Sequence, residues 1–281
     1  MPSTPTSPTE RGFSLIEALI AITLVSLVLA AAGGMMAASR NFVQQQILRI
    51  ETLQALRATL DTLARDLRLG GACLPMTGSF VALSGVDEAA TDSLVTRHGL
   101  IQSDQSCIRT TLIADLKASD TQLKVDSIAA FAPGMRIYIR HPNGTGEFFA
   151  LTGVQPSDRT LQKSTTLTTD YPSTSGIYAI DERSYAIDTS SPSLPVLTVA
   201  TNGSAPVPFA AGVENVNVQY QLARNCPACD VVDLPANDAE WALVKQLYVS
   251  VTVRSRVKGS DGQYFRRSGE IKAKPRNLLP E

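Results

Sequence analysis

The sequence predicts an α+β protein, one very long N-terminal helix followed by an antiparallel β head. Three observations predict it. No proline interrupts positions 13–69, where an apolar run passes into a leucine stripe. From residue 72 onward the text changes to short alternating runs punctuated by Gly, Pro, Asn and Ser. Apolar residues are concentrated at the N-terminus, whereas all four cysteines fall in the second part. The chain has 281 residues, 18% of them charged, and a formal net charge of −1. That balance gives no whole-molecule field to draw nucleic acid or an anionic surface as the main partner.

The first element is the run at 13–38, with Glu17 as its one charged residue. It is too long for a secretory signal, whose apolar core spans about 7–15 residues. The leader "MPSTPTSPTERG" is rich in Pro, Ser and Thr and holds a single basic residue. About 20 apolar residues cross a bilayer, so the length fits a membrane span. A plain anchor gives no reason for Glu17, a carboxylate near the interface or below it, at a cost of a few kcal/mol.

The stretch "RGFSLIEALIAITL" resembles the signature of type IV prepilins and pseudopilins: a basic residue and Gly, then Phe, then Glu four positions on. The resemblance implies that residues 1–12 are a leader, cut by a membrane-embedded aspartyl peptidase between Gly12 and Phe13, with N-methylation of Phe13. It implies that Glu17 pairs with the Phe13 ammonium of a neighbouring subunit, which gives an intramembrane charge a named partner. Other major and minor pilins, reached through the helix, and an inner-membrane assembly platform are the implied partners. Gly33-Gly34 reads either as close helix packing or as a point of unwinding, because each glycine lowers helix propensity by about 1 kcal/mol. Many pilins carry a proline near this position, and this chain has none.

Beyond the span, Leu53, Leu56, Leu60, Leu63 and Leu67 recur at spacings of three and four and form one apolar stripe. Arg57, Asp61 and Arg65 mark the opposite face. Gly70-Gly71 supplies a stop. The predicted helix over 13–71 would be roughly 85 Å long at about 1.5 Å per residue. Its second half docks on a head over 72–281, the ladle shape pilins share.

In the head, "SFVALSGV" and "SLVTRHGL" are early strands, and "MRIYIR" and "GEFFALTGV" form a hairpin across Asn143-Gly144. The block at about 121–178 reads as an inserted small β barrel or sandwich. "SYAID", "PVLTVAT", "VENVNVQYQL" and "LYVSVTVRSRV" follow as longer strands, and "YFRRSGEIKAK" closes the last hairpin. "PANDAEWALV" reads as a helical turn or a loop, with Asp238 as its cap. The order of "GVENVNVQYQL", a Trp loop, "VKQLYVSVTVRSRV" and a terminal "PRN" is similar to minor pilins of the PilW type, and pseudopilin J of type II secretion has a related plan. This likeness covers about 181–277, and the inserted block departs from shorter members. It implies a minor pilin at or near a pilus tip that primes assembly and presents a tip adhesin. The alternatives are a J-type pseudopilin and a membrane-anchored binding module. The implied location is the inner membrane with the head in the periplasm, then the pilus tip or cell surface.

Cys226-x-x-Cys229 lacks the βαβ context of a thioredoxin-like site. Two local disulfides, Cys73–Cys107 and Cys226–Cys229, are the simplest reading for a head outside the cytoplasm. A crossed pairing and a four-cysteine zinc site are the alternatives. His98 and His141 read as solvated loop residues with no acidic partner. "NGT" at Asn143 and "NGS" at Asn202 read as turns, and Asp181-Glu182 has no paired acid elsewhere that sequence can place beside it. Arg266-Arg267 is too small a basic spot for nucleic acid. No catalytic constellation, phosphate loop or cofactor motif is present, so the expectation is a structural subunit and not an enzyme.

Overall fold

The computed structural model describes residues 14–75, 79, 82–88, 91–260 and 262–275. The leader, Gly12 and Phe13 lie outside the described residues. Helix α1 (Leu15–Leu69) is continuous for 55 residues, about 80 Å at about 1.5 Å per residue. It runs through Gly33 and Gly34 without a break in the single chain. Beyond Gly70, Gly71 adopts a positive φ of 79°, which turns the chain away from the helix.

The head follows as β1 (Leu83–Val86), β2 (Ser93–Gly99), β3 (Arg109–Thr111), β4 (Gln122–Lys124), β5 (Arg136–Arg140), β6 (Gly146–Gln155), β7 (Thr160–Lys163) and β8 (Gly176–Asp188). Then come β9 (Val196–Thr201), β10 (Val207–Ala211), β11 (Val213–Leu222), β12 (Val231–Val232), a one-turn α2 (Asp238–Trp241), β13 (Val244–Arg254) and β14 (Arg266–Ala273). Every strand pairing is antiparallel. The long apolar helix on an antiparallel head is the architecture the sequence predicts.

Two large cores occupy most of the head, beside a small cluster of Leu74, Tyr138 and Ile180. The first lies where α1 meets the four-stranded sheet β12-β11-β13-β14 and the β1-β2-β8 edge of the larger sheet. On β13, Leu247, Val249, Val251 and Val253 are all fully buried, the two-residue period of a strand with one face inward, and Val244 joins them across a register shift. From α1, Leu56, Leu63 and Leu67 enter this core, and Leu60 packs at its margin. Gly269 on β14 permits the approach, because a Cβ there would stand 2.8 Å from Leu60 Cδ1.

The second core is lined by Ile108, Leu112, Leu123, Val125, Ile137, Ile139, Phe149, Leu151, Leu161 and Ile177, among others. Around it β3, β8, β5, β6, β7 and β4 run side by side. The Leu112–Val125 bridge, with Ile113 N–H on Lys124 O, closes the circuit back toward β3. Closure leaves these short strands without an open edge. One end is capped by Glu147, which accepts from the Thr168 N–H at 2.8 Å, the Thr169 N–H at 3.2 Å and the Tyr171 hydroxyl at 3.0 Å. Buried Lys163 donates there to the carbonyls of Thr165 and Ala118, and desolvation lowers its pKa.

Strand β8 belongs to both regions. Residues 176–180 pair with β5 and residues 180–185 with β2. The run "SYAID" is thus the end of a 13-residue strand rather than a separate one. Near the C-terminus, α2 is capped by Asn237, whose side chain accepts from the Glu240 N–H at 3.0 Å. That corrects the expectation of Asp238, which is the first helical residue.

Candidate functional site

The segment that sets this chain apart from an ordinary α+β domain is the first half of α1. Its most apolar stretch has no buried residue. Leu15 is 84% exposed and Met35 77%. A helix apolar on all sides with nothing covering it demands another apolar phase. Its few polar groups are adapted to that phase: Thr23 Oγ1 donates to Ile20 O at 2.8 Å, and Ser26 Oγ to Thr23 O at 2.9 Å. Such back-bonds let hydroxyls enter hydrocarbon satisfied.

Glu17 sits in the first turn. Its N–H and that of Ala18 donate to Ser14 O at 3.0 and 3.1 Å, and the Ser14 side chain makes no cap bond. The carboxylate is exposed, and no ion pair reaches it among the described residues. A carboxylate at this end is favoured by the helix dipole, worth about 0.3–1 kcal/mol. That is less than the few kcal/mol its desolvation would cost inside a bilayer.

The second half of α1 is fixed to the head by a polar weld that the leucine stripe conceals. Asp66 is 4% exposed at its side chain and binds Arg183 Nη1 at 2.8 Å. It also accepts from the Tyr185 hydroxyl, while Thr96 Oγ1 donates to its main-chain carbonyl at 3.3 Å. Burial, followed by the bond to Asp66, pushes the Tyr185 hydroxyl pKa up. Thr52, Thr59 and Asp66 repeat every seven residues on the buried face. That spacing is visible in the sequence and is the signal that would have pointed to Asp66.

One expectation about a charged residue is corrected nearby. His98 lies on β2, not in a loop, with Nε2 3.6 Å from Asp181 Oδ2. Asp181 also meets Arg183 at 3.2 Å, and Glu182 meets Arg97 at 2.5 Å. The cross-strand register of β2 on β8, with Arg97 opposite Glu182 and His98 opposite Asp181, creates the two pairs between strands, which residue spacing alone does not reveal. His141, half-buried in its turn, accepts from the Asn143 N–H at 3.0 Å.

All four cysteines are bonded, Cys73 to Cys107 and Cys226 to Cys229. The first bond ties the segment just past α1 to the entrance of the second core. The second lies in the loop between β11 and β12, whose base is held by Arg224 with Asp230 and Glu240, each at 2.6 Å. Asn143 and Asn202 stand in turns, with Asn202 at a φ of 53°.

Residues 8–33 match the family pattern described as the prokaryotic N-terminal methylation motif. The chain opens on a methylation motif. The match covers the approach to the cut site and the first part of the apolar helix, and the head lies beyond it. Among solved structures, the type IV-like pilin TTHA1219 from Thermus thermophilus is similar at 13% identity and a TM-score of 0.38. That similarity covers 81% of this chain and 98% of the other. No curated protein matches significantly.

Proposed function

We propose that this chain is a minor pilin of the PilW kind. It is made as a precursor, cut between Gly12 and Phe13, and held in the inner membrane with its head in the periplasm until it joins a type IV pilus. It sits at or near the tip, where it primes assembly and presents a tip protein. One observation carries the reading: a methylation motif opens a helix that is wholly uncovered over its apolar half and welded to a β head over the other. In this reading Glu17 neutralises the methylated Phe13 amine of an adjoining subunit, a counter-charge that Glu17 has nowhere among the described residues. Size supports a minor rather than a major role, because a head with two cores is bulky to repeat at every position of a fibre.

Mass spectrometry of the membrane-fraction protein tests the first step. A methylated Phe13 terminus is expected, and retention of residues 1–12 overturns the reading. Quantitative mass spectrometry of sheared filaments tests the second, with trace abundance expected. Abundance as the main subunit refutes the minor role, and co-purification with a secretion channel instead of pili assigns the chain to the J-type pseudopilins.

A further inference from the structure

The part of the head nearest the apolar span is strongly basic. The loop from β13 to β14 folds back along α1 and leaves a cleft of about 450 Å³ between them, with Asn41, Gln45 and Glu51 on one wall and Val257, Lys258 and Ser260 on the other. Gln45 Nε2 donates to Ser260 Oγ at 2.5 Å, which pins the loop to the helix. Residues 254–267 carry five cations against one acid, Asp261. Arg254 and Arg266 share Glu214. Arg256, Lys258 and Arg267 are exposed. Two aromatic rings lie among these cations. Phe265 stands between Arg49 at 5.5 Å and Arg267 at 5.0 Å, and Tyr264 lies 4.2 Å from Arg254 and 5.5 Å from Lys258. Val257 is 58% exposed beside them.

Position decides what this surface meets. Arg40 is the first charge after the apolar run, and Gln45 follows five positions later, about 8 Å along the helix at about 1.5 Å per residue. A bilayer's polar zone extends about 5–8 Å beyond its hydrocarbon on each side. Lys258 and Arg256 therefore hang at the outer edge of the headgroups, within reach of a long side chain. Cations interleaved with Tyr and Phe are the composition of a membrane interface.

We propose that the β13–β14 loop is a membrane foot, which rests on anionic phospholipid headgroups through Arg256, Lys258 and Arg267 while the subunit waits in the bilayer. Val257 beside Lys258 adds apolar contact, with Tyr264 and Phe265 behind it toward Arg49. The inference rests on the reading that residues 13–38 span a membrane. Lipid is favoured over an acidic protein partner because the chain's own anchor holds the loop at headgroup depth.

The test uses the full chain in nanodiscs of zwitterionic lipid alone or with about 30% anionic lipid, a content giving the surface potential that attracts basic segments. Amide hydrogen exchange is read over residues 255–265, with residues 146–155 on β6 as a folding control. Anionic lipid is expected to slow exchange of the loop about fivefold or more, since each surface cation contributes about that factor in lipid preference. The slowing should vanish at about 0.5 M salt and in the triple variant R256Q/K258Q/R267Q with the β6 control unchanged. Equal exchange in the two lipids overturns the proposal. So does protection that follows the number of copies per disc instead of lipid charge, which would identify a protein neighbour. A chain that never enters the discs removes the membrane span itself and the foot with it.

Discussion

Replacing Asp66 by Ala should loosen the joint between rod and head. The substitution removes the acceptor for the Arg183 guanidinium and the Tyr185 hydroxyl. A hydrogen bond to a charged group is worth about 1.5–3 kcal/mol, and a buried hydroxyl left without a partner costs about 1–3 kcal/mol. Arg183 is 34% exposed and keeps Asp181 at 3.2 Å, so its share lies at the low end of that range. Tyr185 is 3% exposed and keeps only a bond from Arg183, so its O–H proton is left without an acceptor. The expected loss is about 3 kcal/mol. Urea unfolding of the full chain in detergent micelles reads it through Trp241, the one tryptophan, whose ring meets Tyr220 edge-on at 4.9 Å beside the first core. In a Tyr185→Phe background the cost of Asp66→Ala should fall by about 1–2 kcal/mol, because the orphaned hydroxyl is gone. A loss below about 0.5 kcal/mol, the size of an ordinary surface substitution, would refute the weld, as would strict additivity of the two changes.

Four further outcomes are expected. Burial opposes ionisation of Glu147, but hydrogen bonds from Thr168, Tyr171 and Thr169 outweigh it and hold the carboxyl below its ordinary 4.5. The stabilisation is therefore complete above that value and lost as pH falls through the lower folded value. Urea midpoints followed by circular dichroism should drop more steeply on acidification below about pH 4.5 for the wild type than for Glu147→Gln. Removing the Cys73–Cys107 bond, with its sequence separation of 34, by a double Ser substitution should cost about 4 kcal/mol in the chain-entropy relation, measured by the same urea titration. Gly269→Val should cost about 1–3 kcal/mol by pushing α1 off β14, and Leu60→Ala should recover part of the loss. Glu17→Ala should leave the mature mass unchanged while lowering recovery in sheared filaments, and wild-type recovery would remove the proposed charge pairing.

The rod was legible because it rests on local rules. Absence of proline, a membrane-length apolar run and leucines every three or four residues each act within a few turns, and the structure returns them as one helix. The Asn143-Gly144 hairpin was legible for the same reason, since the tip residues set the register of β5 on β6. What escaped was set by partners distant in sequence. His98 is 83 residues from Asp181 and Asp66 is 117 from Arg183, and only the pairing of β2 on β8 and the docking of α1 bring them together. The cap of α2 escaped differently. Asn237 and Asp238 are both good caps, and backbone geometry, with Asn237 extended at φ −159° and ψ 170°, decided between them.

Strand β8 also has a mechanical consequence. A pull on the barrel-like region would enter the chain along β8, which is laced laterally to β5 at one end and to β2 and β9 at the other. To part the two regions, such a load has to shear many ladder bonds at once instead of unzipping them one by one. It would then pass through Arg183 and Tyr185 into Asp66 and down the rod. The geometry is that of a tether whose two knots are tied in the same cord.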